Sequence, residues 1–338
     1  MSKDSDLRIV SIGGGNGLSV LLHGLKRYPV DITAVVTVSD DGGSSGRLRR
    51  EFDVLPPGDI RNCMVALSED EALLSRLFQY RFSAGRGLKG HSFGNLFLTA
   101  MTHVVGNFSE AVKTSSEVLK IAGRIYPSTE TNVTLEAVLE NGAIVRGETQ
   151  ISRSRRSIES IRLDPRGCPP LPATLEAIAE ADLITFGPGS LFTSVIPNLL
   201  VEGIASAIQR SRALKAYVVN LMWQPGETMH FTASDHVRAI EKHAGGRLLD
   251  FALINTQPIR PALRKRYARQ QALPVENDLE RIREMGIEVV GGSFLLESEK
   301  IRHNPEAIAA AVVRLALESR EASNAQARNL RSKAKSQN

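Results

Sequence analysis

The chain has 338 residues, 42% of them hydrophobic and 23% charged, which at roughly 150 residues per domain is two units or one large α/β domain with a sizeable core. That composition excludes a collagen, a disulfide-stapled mini-protein and a wholly disordered chain, and no apolar run reaches the ~18 residues that cross a bilayer. The net charge of +5 comes mostly from the end of the chain, where five cations (Arg320, Arg328, Arg331, Lys333, Lys335) face one anion, Glu321, so the body is close to neutral and the basic balance identifies no partner.

The first six residues run into a strand-like segment without the apolar core of a secretory signal. Residues 8–12 predict a short buried strand. Residues 18–25 predict a helix with Leu18, Leu21, Leu22 and Leu25 along one face. Residues 32–38 are β-branched and apolar, as a strand covered on both faces is. A polar loop, 86–95, leads into a helix that starts near Leu96. Around Asn141 and Gly142, residues 132–138 and 143–151 predict a hairpin closed by a tight type I′ turn, with 158–163 as a third strand. We read 125–165 as an antiparallel edge or small insert, not a separate domain. Beyond it the alternation returns: helix 172–181, strand 183–186, an apolar helix ending near Gln209, strand 216–221, helix 235–243 stopped by Gly245 and Gly246, and strand 249–254. Helix 305–318 has Asn304 as N-cap and Pro305 at its first position. The fold class is α/β, with a doubly wound, mostly parallel sheet carrying a small antiparallel hairpin insert. One domain spans 1–320, and 321–338 reads as a disordered basic tail.

Three turns could carry chemistry. Gly13, Gly14, Gly15, Asn16 and Gly17 join the first strand to the first helix, where free N–H groups meet an anion and a side chain would keep a phosphate away. The string is neither the dinucleotide fingerprint nor the P-loop. Asp40, Asp41, Gly42, Gly43, Ser44, Ser45, Gly46 and Arg47 follow the second strand, so they emerge at the same sheet edge. The carboxylates could hold a divalent metal or a ribose hydroxyl, and the glycines, serines and Arg47 a diphosphate. The same string fits the hydrolase nucleophile elbow, but two carboxylates directly before it would repel an oxyanion. Gly187, Pro188, Gly189 and Ser190 form the third turn, and the 86–95 loop adds Asn95 or His91.

Cys63 and Cys168 give no framework and no metal spacing, which fits reduced cytosolic thiols, and the seven histidines show no zinc-ligand spacing. Cations cluster at Arg153, Arg155 and Arg156. A second run, Arg260 to Arg269, contains Tyr267 and could grip a phosphate or stack on a base.

Taken together, residues 12–17, 36–49, 56–61, 94–95, 187–190 and 224–228 resemble the bacterial gluconeogenesis-factor (YvcK-like) family, a relative of the 2-phospho-L-lactate transferases, in the family's order and over about 8–318. The resemblance implies a Rossmann-like fold, a cytoplasmic location and a site for a nucleoside diphosphate conjugate. In the gluconeogenesis-factor branch it implies binding of UDP-N-acetylglucosamine and a link to cell shape and wall precursor supply, with a cell-wall enzyme as protein partner. Tyr267 and Arg302 match positions that this branch uses for the nucleotide sugar. Trp223 stands where a smaller residue is expected. In the transferase relatives a divalent metal takes part, which here assigns Mg²⁺ to Asp40 and Asp41. Two readings therefore stand, a nucleotide-sugar-binding regulator and a metal-dependent transferase. A nucleic-acid binder using the 260–269 run and the tail ranks below both. A homo-oligomer is compatible with the sequence.

Overall fold

A computed structural model of the chain describes residues 7–69, 71–154 and 156–336, so the first six residues and Arg155 lie outside the described residues. The strands in chain order are β1 (Leu7–Gly13), β2 (Val30–Val36), β3 (Arg124–Pro127), β4 (Thr134–Leu139), β5 (Ile144–Arg146), β6 (Ile158–Asp164), β7 (Leu183–Phe186), β8 (Leu214–Val218), β9 (Phe251–Asn255), β10 (Glu288–Gly292), β11 (Leu295–Glu297) and β12 (Ile301–His303). Seven of them form one sheet in the order β10-β9-β8-β7-β1-β2-β3. Every neighbouring pair in that sheet is parallel. Helices cover both faces, which is why Ile9, Ile12, Ile32, Val35 and Phe186 are fully enclosed and why these strands read as unbroken apolar runs. The α/β, Rossmann-like reading holds.

Strand order reverses between β1 and β7, with β2 and β3 to one side of β1 and β7 to β10 to the other. In open parallel sheets that reversal opens a crevice beyond the carboxyl ends of the strands. The helix Gly15–Leu25 closes one wall and packs on the helix Pro305–Ser336. Gly24 permits that approach, since a Cβ there would sit 2.8 Å from the Pro305 carbonyl carbon.

The insert forms a separate antiparallel sheet, β5-β4-β6, so the hairpin and its third strand are both present. Three details differ from expectation. Residues 124–127 belong to the large sheet. The hairpin turn is not type I′: Gly142 has a positive φ of 77° but Asn141 does not. Instead the Gly142 N–H donates to Leu139 and the Leu139 N–H to Ala143, a longer loop in which one left-handed glycine suffices. The second arm stops after three residues because Gly147, at φ 87°, turns the chain into a short helix, Glu148–Arg153.

Two helices that the alternating pattern did not reveal, Gly43–Phe52 and Gly58–Leu67, follow β2. The apolar helix after 190 is a π-turn, Leu191–Val195, continued by Ile196–Leu199 and, past Gly203, Ile204–Arg210. No single helix among the described residues is long and apolar enough to cross a membrane, although Leu191–Leu199 and Ile204–Arg210, bent by 74°, pass that length test as a pair. The C-terminal helix runs Pro305–Ser336, so the segment from 321 expected to lack order continues as helix. Its Ala, Arg, Lys and Gln content favours extension of a helix already nucleated by buried Ile308, Val312 and Leu315.

Candidate functional site

Gly14 is the N-cap of the helix Gly15–Leu25 and makes no side-chain cap, and the first turn holds no acidic residue; the Gly15 N–H is met from outside the helix by the Asp59 carboxyl. Gly17 faces the third glycine turn. A Cβ on Gly17 would lie inside contact distance of the Pro188 carbonyl oxygen and 2.7 Å from Gly189 Cα. The two turns are therefore one surface. The third turn is locked from behind: the Gln224 amide donates to Ser190 Oγ at 2.6 Å and accepts from the Asn220 amide at 3.2 Å, while its backbone N–H donates to the Thr228 hydroxyl at 3.0 Å. Between them lies a cleft of roughly 480 Å³, lined by Gly14, Gly15, Asn16, Gly17, Pro188, Gly189 and Ser190, with Arg302 at its edge.

Carboxyl groups form the facing wall. Asp59, in the first turn of the helix Gly58–Leu67, is raised to about 7, chiefly by burial and then by the charge of Asp40, with the Gly15 N–H opposing. Glu148 is raised to about 9 by burial and by the charges of Asp40, Asp59, Glu227 and Asp41. Glu227, behind them, is raised to about 7 by burial; its Oε1 accepts from the hydroxyls of Thr193 at 3.2 Å and Ser152 at 3.4 Å. Asp59 and Glu148 both line the cleft. A protonated carboxyl there donates a hydrogen bond to an anionic oxygen, whereas a carboxylate would repel it. His303, also on the cleft, is lowered to about 4 by burial, and its Nε2 donates to the Val219 carbonyl at 3.1 Å, so the ring is neutral with the proton on Nε2.

The remaining expected residues frame the cleft without lining it. Asp41 Oδ1 accepts from the Thr149 N–H at 2.9 Å and hydroxyl at 2.6 Å, clasping the helix Glu148–Arg153 and thereby placing Glu148. Asp40 accepts the Gly42 N–H at 2.8 Å, and burial raises its carboxyl above the usual range. The adjacent carboxylates thus turn to different partners, and among the described residues no three His, Cys, Asp or Glu side chains gather as a metal-ligand set. Ser45 Oγ accepts from Asn95 at 3.4 Å, Ser44 Oγ pairs with His91 Nδ1 at 2.9 Å, and Arg47 donates to the Lys89 carbonyl at 2.9 Å. The string from Gly42 to Arg47 is therefore the start of the helix Gly43–Phe52, packed against the 85–95 loop. Tyr267 lies outside the cleft, at the end of the helix Pro261–Ala268. Trp223 Nε1 donates to the Phe231 carbonyl at 3.0 Å.

Asp59, Glu148, Gln224 and His303 were not singled out from chemistry alone. Asp59 and Gln224 sit inside strings that carried the resemblance and His303 follows Arg302, while Asp59 follows Gly58, whose Cβ would meet Ser45 Oγ at 2.5 Å and Asp40 Oδ2 at 3.0 Å. Glu148 has no local signal beyond the glycine before it.

The family model for the 2-phospho-L-lactate transferase CofD matches residues 9–295. A gluconeogenesis factor of Bacillus subtilis is 47% identical over 309 residues, covering 91% of this chain and 98% of that protein. A gluconeogenesis factor of Halalkalibacterium halodurans is 47% identical over 306 residues, 90% of this chain and 95% of that one. A crystal structure of a Bacillus halodurans protein superposes with a TM-score of 0.89 at 46% identity, over 91% of this chain and 100% of that chain. With the insert, the glycine turns and nearly all of the large sheet inside the matched span, the chain belongs to the CofD family, alongside its gluconeogenesis-factor relatives.

Proposed function

We propose that the chain is a cytoplasmic regulatory protein that binds UDP-N-acetylglucosamine and couples carbon supply to cell-wall synthesis and cell shape. The observation that carries this reading is the joined surface of the first and third glycine turns. Two strand-to-helix turns, neither closed by a side-chain cap at its N-cap residue, open on one cleft, which suits a diphosphate. Arg302 at the edge supplies a planar fork for an oxygen pair. The gluconeogenesis-factor relatives and the Tyr267 and Arg302 strings support the nucleotide-sugar assignment. Calorimetry with UDP-N-acetylglucosamine, GDP-sugars and free N-acetylglucosamine tests it. The first should bind and the others far more weakly; equal affinity for UDP- and GDP-sugars would reduce the site to a generic diphosphate cradle.

A second reading, a metal-dependent transferase acting on a nucleoside diphosphate conjugate, draws on the carboxyl wall. Asp59 and Glu148 face the glycine turns with Asp40 behind them, and a divalent ion carried in on the diphosphate would stabilise their charged forms and supply Lewis-acid catalysis. Mg²⁺-dependent release of a nucleotide from such a conjugate, lost in Asp59→Asn, would favour this reading over the regulatory one.

A further inference from the structure

A second cleft of roughly 600 Å³ adjoins the first and shares Asn16, Val20, Arg302 and His303 with it. It lies between the helices Gly15–Leu25 and Gly58–Leu67 and the strand β12. Three arginines, Arg61, Arg81 and Arg302, converge on it.

Arg81 and Arg302 are exposed, whereas Arg61 is partly buried. The Arg61 guanidinium is held rigidly: Nη1 donates to Ser92 Oγ at 2.6 Å and Asn95 Oδ1 at 3.0 Å, and Nη2 to Asn62 Oδ1 at 2.7 Å. All three acceptors are neutral. Its Nε is buried and without a partner. Arg81 donates to the Gly90 carbonyl, again a neutral acceptor. Among the described residues no carboxylate pairs with any of the three within salt-bridge distance, although many other arginines of the chain have such partners. Arg61 and Arg81 repel one another, and burial together with that repulsion lowers the Arg61 proton affinity. The charges of Asp59 and Asp40 oppose that repulsion without pairing with the guanidinium, and a bound anion would offset the rest. Pinning a guanidinium fork in advance is what planar, bidentate recognition of a phosphoryl group requires.

We propose that this second cleft is a binding site for a phosphate-bearing small molecule, distinct from the nucleotide cleft and joined to it through Arg302. The ligand's phosphoryl oxygens lie against Arg81, Arg61 and Arg302, and its remainder extends along Ser75 and Gln79. Because Arg302 fronts both clefts, a ligand in either one feels the other's charge and the position of that side chain, which is the physical basis for coupling between them.

The test uses tungstate, a phosphate analogue, as probe on the full chain with saturating UDP, so that the first cleft is filled. Tungstate should raise the melting temperature, and crystals of the UDP complex soaked in tungstate should show a tungsten peak between Arg81, Arg61 and Arg302. Arg81→Ala should weaken tungstate binding about tenfold or more while leaving UDP affinity unchanged, and Arg302→Ala should weaken both. Arg61→Ala also breaks contacts to Ser92 and Asn95, so Arg81→Ala is the deciding variant. Tungstate affinity unchanged in Arg81→Ala, or a tungsten peak only elsewhere, overturns the proposal. Arg81-dependent tungstate binding by a protein that does not bind UDP would instead remove the nucleotide reading and leave this one standing.

Discussion

The Tyr267 hydroxyl accepts the backbone N–H of Ile301 at 3.0 Å, one residue before Arg302. The Arg266 guanidinium lies over the ring, 5.5 Å from its centroid. Tyr267 thus holds the strand that presents Arg302. Tyr267→Phe keeps the ring and removes only the hydroxyl. It should weaken nucleotide-sugar binding by about 1 kcal/mol, near the net worth of one hydrogen bond, while Arg302→Ala costs about 1–3 kcal/mol. Calorimetry on both variants decides the matter. Wild-type affinity in Tyr267→Phe together with loss in Tyr267→Ala would mean that the ring itself stacks on the ligand.

Gly17 is the joint between the two anion-ready turns. A Cβ there meets backbone atoms of Pro188 and Gly189, which cannot rotate away as a side-chain tip would. Gly17→Ala should push the third turn outward, destabilise the fold by about 1–3 kcal/mol and lower nucleotide affinity more than tenfold. Gly43→Ala is the contrasting variant, because nothing lies within 4 Å of its Cβ even though its φ of 44° strains a side chain. A Gly17→Ala protein with normal affinity would show that the two turns do not act as one surface.

What the sequence made legible follows from how local each signal is. Strands β1, β2 and β7 and the glycine turns after β1 and β7 were readable because an enclosed parallel strand is apolar throughout and the turn after it needs glycine. The helix Gly43–Phe52 was not, since it opens on Gly-Ser-Ser-Gly and carries three arginines, a composition that reads as loop. Only packing of buried Ser44, Ser45 and Leu48 against the neighbouring loop and helices fixes it. Asp40 and Asp41 looked like a metal pair because they are adjacent, yet neighbouring side chains at a strand end diverge, and Asp41 is taken by Thr149, 108 residues away. The carboxyl wall of Asp59 and Glu148 comes from two segments whose meeting no spacing rule encodes.

The C-terminal helix gives a stability prediction that hinges on one residue. Arg320 Nη2 donates to Asp182 Oδ2 at 2.6 Å, and the same carboxylate oxygen accepts the Arg8 N–H at 2.8 Å. A chain ending at Arg320 should melt within about 2 °C of the full protein. The same truncation with Arg320→Ala should melt about 3 °C or more lower, for loss of a partly buried charged hydrogen bond. Thermal unfolding of the pair checks it, and a large drop on removing 321–338 alone would show that this stretch docks on the body.

The carboxyl wall predicts an unusual response to pH. Asp59 and Glu227 hold their protons to about 7 and Glu148 to about 9 in the folded chain, whereas in the unfolded chain such groups release them near pH 4. Between those limits the folded state binds more protons, so the stability these groups contribute is fully present below about pH 4 and is lost as pH rises toward 9. Glu148→Gln cannot ionise and should be relatively more stable than wild type at pH 9, with little difference at pH 5, as read from urea unfolding. Ligand binding should follow the same sign. A protonated Glu148 and Asp59 donate to the diphosphate, and each proton lost puts a negative charge against it. The affinity for UDP-N-acetylglucosamine, whose own diphosphate does not titrate in this range, should fall about tenfold between pH 6 and 9, with net proton uptake on binding at pH 8. Calorimetry in buffers of different ionisation enthalpy measures that uptake directly. Glu148→Gln should retain most of its affinity at pH 9. A wild-type affinity flat across this range, with no proton uptake, would place both carboxyls away from the bound diphosphate.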